Sequence, residues 1–302
     1  MMMLKINNLK KDLTGTTIIN DLSFSVGLGS IVGLVGRNGA GKTTLFRLIS
    51  GEYLPEHGKI EIDDNKNVKE SIFYLDAPGN FTGGFSAKQL AKIFAVSYPY
   101  FDSEWFLSLI GANELPVGKK LSALSKGQKA LVLVIAAVTS KAKYILLDEP
   151  LDGLDLLIKD KVKQMLISAV SSNQASIIIA SHNLSELDLL ADRILMIKDG
   201  RIYKDYLPGD EISTAKVAKM QMVIEGEIPE LVTKEGHILE KRGHLYVVLF
   251  KNYDDSMAAK IKDLPVKYIE ELQVTSDDIF RATFEEDYRI HSTIKRGKEK
   301  EQ

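Results

Sequence analysis

The residues best suited to chemistry lie in Gly36-Arg37-Asn38-Gly39-Ala40-Gly41-Lys42-Thr43. Their types and spacing fit the phosphate-loop pattern G-x-x-x-x-G-K-[ST]. Its glycines let backbone N–H groups surround an anion, and Lys42 can reach the β- and γ-phosphates of a nucleotide. The Thr43 hydroxyl is suited to ligate Mg2+, and Thr44 continues the same phosphate-facing turn. A second group, Asp148-Glu149, lies far downstream. An aspartate at a strand's carboxyl end can hold the same cation opposite Thr43, directly or through water. Glu149 can polarise an attacking water as general base. Acidic pairs at strand ends are commonly just solvated; the loop upstream favours the chemical reading.

These residues need elements to position them. Ile31-Val32-Gly33-Leu34-Val35 is short and apolar, and predicts a buried parallel strand entering the loop. Thr44-Leu45-Phe46-Arg47-Leu48-Ile49 has helical apolar spacing and stops at Ser50-Gly51, so an anion in the loop meets a positive helix end. Lys143-Tyr144-Ile145-Leu146-Leu147 predicts the buried strand that ends at Asp148. Residues 4–30 read as short strands, residues 86–140 as mainly helical, with capping boxes at Ser86-x-x-Gln89 and Ser125-x-x-Gln128. Helices are expected at 156–171 and 184–191, and a core strand at 176–180. Strands at 193–197 and 201–203 join through Asp199-Gly200, a hairpin signal. Strands alternating with helices make an α/β domain around a largely parallel sheet. Composition breaks near Leu207-Pro208-Gly209-Asp210, which divides a domain at 1–207 from a small α/β domain at 208–294. Residues 295–302 have no apolar side chain and are expected to be disordered.

Composition narrows the function. A formal net charge of −2 supplies no basic field for nucleic acid. The absence of cysteine excludes a disulfide framework or a thiolate metal site and suits a cytosolic setting. The strongest apolar run, residues 130–138, falls well short of the roughly twenty residues that span a membrane.

With Leu146-Leu147-Asp148-Glu149-Pro150 in place, the chain resembles the nucleotide-binding subunit of ATP-binding-cassette (ABC) transporters, over residues 4–205. Leu124-Ser125-Lys126-Gly127-Gln128 is similar to that family's LSGGQ signature, with Lys126 replacing the first glycine. Leu151-Asp152-Gly153-Leu154-Asp155 occupies the place of its D-loop, and Ser181-His182 that of its switch histidine. The resemblance implies a P-loop NTPase cassette with a RecA-like core sheet, an antiparallel β subdomain and a helical signature subdomain. It implies ATP and Mg2+ as ligands and a head-to-tail dimer, homo- or heteromeric, that sandwiches two ATP molecules. Ser125, Gly127 and Gln128 would face the γ-phosphate held by the other subunit, Asp155 would cross the interface, and His182 would sense the γ-phosphate. A separate integral membrane permease is implied as partner, with this chain on the cytoplasmic face of the membrane.

Two departures stand out. Where the family commonly stacks adenine on an aromatic residue, this chain has Asp12-Leu13-Thr14-Gly15, and Leu13 is the nearest apolar platform. At the family's Q-loop glutamine stands Asp76-Ala77-Pro78, so Ala77 or a neighbour fills the slot, and Asp76 is either a substitute on the metal side or a simple turn acid. Ser276-Asp277-Asp278-Ile279-Phe280 resembles the short helical motif in extensions of bacterial drug- and peptide-exporting cassettes, which favours export. The alternative, an ABC ATPase acting on ribosomes or nucleic acid, fits less well. Lys42 and Asp148 lie 106 positions apart with no sustained heptads between them, and only one phosphate loop occurs.

Overall fold

The computed structural model describes residues 2–63, 68–76, 82–173, 175–210 and 216–283. The chain divides into two compact units, Met1–Pro208 and Gly209–Gln302.

In the first unit, β1 (Met3–Leu13) and β2 (Thr16–Gly27) form a long antiparallel pair where the sequence predicts short strands. Asn8 and Asp21 adopt φ values of 48° and 55°, and the pairing register shifts after Ile6 and again after Leu9. Such bulges displace the apolar alternation without ending the ladder. β3 (Ile31–Val35) is buried throughout and leads through the phosphate loop into α1 (Lys42–Ile49). β4 (His57–Ile62) returns to β1, completing a three-stranded sheet in the order β2-β1-β4.

β5 (Ile72–Leu75) precedes a helical region of α2 (Ala87–Ser97), α3 (Ser103–Ala112) and α4 (Lys126–Thr139). Ring contacts between Phe73 and Phe94, Phe94 and Phe101, and Phe101 and Phe106, at 5.6, 5.5 and 5.5 Å, run from β5 to α3. Then follow β6 (Tyr144–Asp148), α5 (Leu156–Asn173), β7 (Ser176–Ser181), α6 (Leu184–Asp188), β8 (Arg193–Lys198) and β9 (Arg201–Tyr206). The helix expected to reach residue 191 stops at Asp188, because Leu190 and Ala191 both donate to the Leu187 carbonyl and tighten the chain into a turn. Asp199 and Gly200, at φ 50° and 72°, make the β8–β9 turn.

These strands build a six-stranded sheet in the order β5-β6-β7-β3-β8-β9, parallel up to β8 with β9 antiparallel. α1 buries Leu45, Phe46, Leu48 and Ile49 in one apolar cluster with Leu4, Ile6 and Leu22 of the small sheet and Val32, Leu34, Leu146 and Ile178 of the large one. Parallel strands finish at a common edge, so the segments after Val35, Asp148 and Ser181 gather beside one another.

The second unit runs β10 (Val217–Val223), α7 (Glu230–Lys234), β11 (Gly236–Arg242), β12 (Leu245–Lys251), α8 (Asp255–Lys262) and β13 (Tyr268–Leu272). Its antiparallel order β11-β12-β10-β13 is a ferredoxin-like βαββαβ arrangement. Met220, Met222, Val248 and Phe250 pack with Val232 of α7 and Met257 and Ile261 of α8, while Leu239, Val247 and Leu249 form a second cluster. α9 (Ser276–Thr283) contains the motif at 276–280 and is held by the Lys219–Asp278 ion pair at 2.9 Å. Residues 295–302 lie outside the described residues.

Candidate active site

The phosphate loop leaves β3 against β8. A Cβ on Gly36 would lie 2.6 Å from Ile197 Cγ2 and 2.8 Å from the Ile197 carbonyl oxygen, so a side chain there would displace the loop. Gly41, at φ 103°, caps α1 through its backbone alone. The free N–H groups of the first turn therefore remain available at the positive end of the helix. Arg37, Asn38, Gly39, Gly41, Lys42, Thr43 and Thr44 line a cleft of about 330 Å3, together with Leu13, Ile18, Asp148 and Glu149. Ala40, the remaining loop residue, is half-buried. Leu13 and Ile18 supply the apolar wall, and no aromatic side chain among the described residues lines it. Ile18 escaped the sequence reading because β2 carries it in from a distant hairpin.

Four of the singled-out side chains converge. The Lys42 ammonium donates to the Gly36 carbonyl at 2.7 Å and lies 3.6 Å from Glu149 Oε1. Burial pushes its pKa down, against the opposing pull of Glu149 and Asp148. The Thr43 hydroxyl donates to Asp148 Oδ2 at 2.6 Å. Burial pushes the Asp148 carboxyl up; the Thr43 hydrogen bond and the Lys42 charge oppose the shift, and the charges of Glu149 and Asp76 add to it. Two hard oxygen donors thus meet beside a buried carboxylate under like-charge pressure, and they fit a magnesium ion. No cluster of three or more His, Asp or Glu side chains able to hold a metal occurs among the described residues.

Glu149 sits at φ 49°, a conformation that costs of order 1–3 kcal/mol for a residue with a side chain. Its N–H donates to the Ala180 carbonyl of β7 at 2.9 Å, which fixes the turn out of β6. Its carboxylate then spans two partners: Lys42 on one oxygen, and His182 Nδ1 at 3.0 Å on the other. The sequence names Glu149 and His182 separately; their pairing comes from the parallel contact of β6 with β7.

The remaining candidates among the described residues lie outside the cleft. Ser125 and Gln128 form a capping box on α4, with Gln128 N–H donating to Ser125 Oγ at 3.2 Å and Ser125 N–H to Gln128 Oε1 at 3.1 Å. Gly127 lies against Ile158 of α5, and Asp155 Oδ1 accepts from the Ile158 N–H at 3.1 Å. Ala77 falls outside the described residues. Asp76 is hydrogen-bonded by Arg47 of α1 at 3.3 Å and by the Tyr74 hydroxyl at 3.4 Å.

A family model described as "ABC transporter" matches residues 19–152. The chain is similar to the ABC transporter ATP-binding protein YtrB of Bacillus subtilis, 31% identical over 289 residues that cover 93% of this chain and 98% of the relative. It is 30% identical over 213 residues to the bacitracin transport ATP-binding protein BcrA of Enterococcus faecalis, covering 67% and 68% of the two chains. Import ATP-binding proteins occur among the relatives as well. The solved structure of cbiO1 from Clostridium perfringens, part of the ABC transporter complex cbiONQ, superposes with a TM-score of 0.60 at 25% identity, over 70% of this chain and 90% of that one.

Proposed function

This chain belongs to the ABC transporter family as an ATP-binding, ATP-hydrolysing cassette, and we propose that its cleft divides the work among phosphate binding, proton removal and sensing. Loop N–H groups of residues 36–43, with Thr44, hold the phosphates, and Lys42 exchanges the Gly36 carbonyl for a phosphate oxygen. Thr43 and Asp148 would hold Mg2+, which neutralises phosphate charge when bound. Glu149 accepts the proton of a water as the water oxygen bonds the γ-phosphorus and the bond to the leaving ADP oxygen breaks. His182 orients the Glu149 carboxylate and hydrogen-bonds the γ-phosphate.

One observation carries the reading: the Glu149 carboxylate lies next to Asp148 and is held between Lys42 and His182 by a strained backbone. Strain of this kind persists where the surroundings over-determine a position, as they do at functional sites. Glu149→Gln is expected to slow hydrolysis by roughly 10²–10⁴-fold while ATP binding persists. Rapid turnover by that variant, followed as phosphate release, would remove Glu149 from this role.

Ser125, Gly127, Gln128 and Asp155 belong to a second cassette's site in this scheme. Ser125 and Asp155 are exposed, and Leu156, Leu157 and Leu189 expose 71, 79 and 79% of their surface. The Lys159–Glu186 ion pair brings together α5, which carries Leu156 and Leu157, and α6, which Leu189 caps at its C-terminal end. Apolar exposure of this kind supports a face for another cassette, closed by ATP. No described helix is long and apolar enough to cross a membrane; in this scheme a separate permease supplies the path, with this chain at its cytoplasmic side. The likeness to BcrA, named for bacitracin transport, to a relative named for peptide export, and to exporter extensions supports a drug or peptide as cargo moving outward. Purification of the tagged chain from membranes tests the partner; recovery of no multi-spanning protein counts against it.

A further inference from the structure

Lys126 is the signature residue that departs from the family's usual glycine, and its side chain has a defined place. It occupies the first helical position of α4, and its ammonium reaches Asp152 Oδ2 in the loop after β6 at 3.0 Å. Lys126 is the largest influence holding the Asp152 carboxyl below the usual carboxylate range; His182 and Lys159 add to it. The Asp152 N–H in turn donates to the Glu149 carbonyl at 3.2 Å, closing the turn Glu149-Pro150-Leu151-Asp152. Gly153, at φ 62°, leaves room for the contact: a Cβ there would stand 2.3 Å from the Lys126 ammonium.

These contacts form a chain from the start of α4 to the strained residue at the end of β6. We propose that Lys126 is a positioning residue for Glu149, its ion pair with Asp152 pinning the turn that aims the Glu149 carboxylate. The inference rests on the assignment of Glu149 as proton acceptor and adds that the signature helix sets its aim within one chain. Lys126 and Asp152 are each about half exposed, so the pair is screened by salt and its effect is modest, about two- to fivefold in kcat.

The experiment is steady-state ATP hydrolysis by the full chain, with ATP affinity measured separately by equilibrium binding. Lys126→Ala and Asp152→Asn are each expected to lower kcat about two- to fivefold, and the double variant no further, with KM and affinity unchanged. Lys126→Arg is expected to restore the rate. Raising salt should lower the wild-type kcat toward that of Lys126→Ala more than it lowers the variant's own. Unchanged kcat, additive losses in the double variant, or a weakened ATP affinity each overturn the proposal; the last would put Lys126 on a nucleotide instead. Glu149→Gln, run alongside, separates the two ideas. If it is inactive while Lys126→Ala matches wild type, only the positioning role fails; if it turns over normally, the assignment of Glu149 fails.

Discussion

At the scale of single residues, the cleft places buried charges of both signs against one another. The folded protein binds a proton at Asp148 more readily than the unfolded chain, because burial disfavours the ionised carboxyl. A raised carboxyl pKa means that stability falls as pH rises through it, and that the loss is complete above it. Asp148→Asn keeps an oxygen acceptor for Thr43 and removes the charge. In chelator, without nucleotide, this variant is expected to be more stable than wild type near neutral pH, and the gap should close as pH falls into the carboxylate range. Urea unfolding at several pH values checks it, and a variant less stable at neutral pH would contradict the burial argument. Lys42 shows the opposite member of the same economy: a buried ammonium whose loop carbonyl is a poorer partner than a phosphate.

At the scale of elements, the strand–loop–helix unit was legible because its signals are local. Five apolar residues, a glycine pattern and a helical stripe occupy residues 31–49 without a gap. The close approach of β8 to the loop was not legible, since Ile197 lies far along the chain. Gly36→Ala is therefore expected to destabilise the fold by about 1–3 kcal/mol through overpacking against Ile197, with loss of ATP binding; calorimetry and binding on one sample test both. The two capping boxes were readable from four residues each, and both occur. β11 lacks a clear strand signal for a physical reason: it is an edge strand that buries Leu239, half-buries Ile238 and ends in the charges Glu240, Lys241 and Arg242. Edge strands present charge to discourage further pairing, so they lack the alternation that reveals a strand. The bulges at Asn8 and Asp21 hid the length of β1 and β2 in a similar way, by shifting the alternation within a continuous ladder.

At the scale of the whole molecule, residues that look catalytic in sequence separate into two places. Lys42, Thr43, Asp148, Glu149 and His182 meet, whereas Ser125, Gln128 and Asp155 make capping contacts at the starts of α4 and α5, with Gly127 packed against Ile158. A pattern along one chain does not say whether its parts meet in that chain or across two. Leu157→Glu, on the exposed start of α5, is expected to weaken ATP-dependent self-association of the Glu149→Gln protein by tenfold or more, about 1.4 kcal/mol. Sedimentation at several concentrations reads this directly, and an unaltered monomer–dimer balance would remove α5 from the contact face. The sheet order carries one more consequence, which concerns synthesis. β3 pairs only with β7 and β8, and Ile31 meets Ile177, 146 positions later. At translation rates of roughly 5–20 residues per second, the strand that bears the phosphate loop waits roughly 7–30 s for its first neighbour. A nascent cassette therefore cannot be rescued by nucleotide until nearly all of its first unit has left the ribosome. During that wait the apolar segment Ile31–Val35 is an unpaired strand open to mispairing.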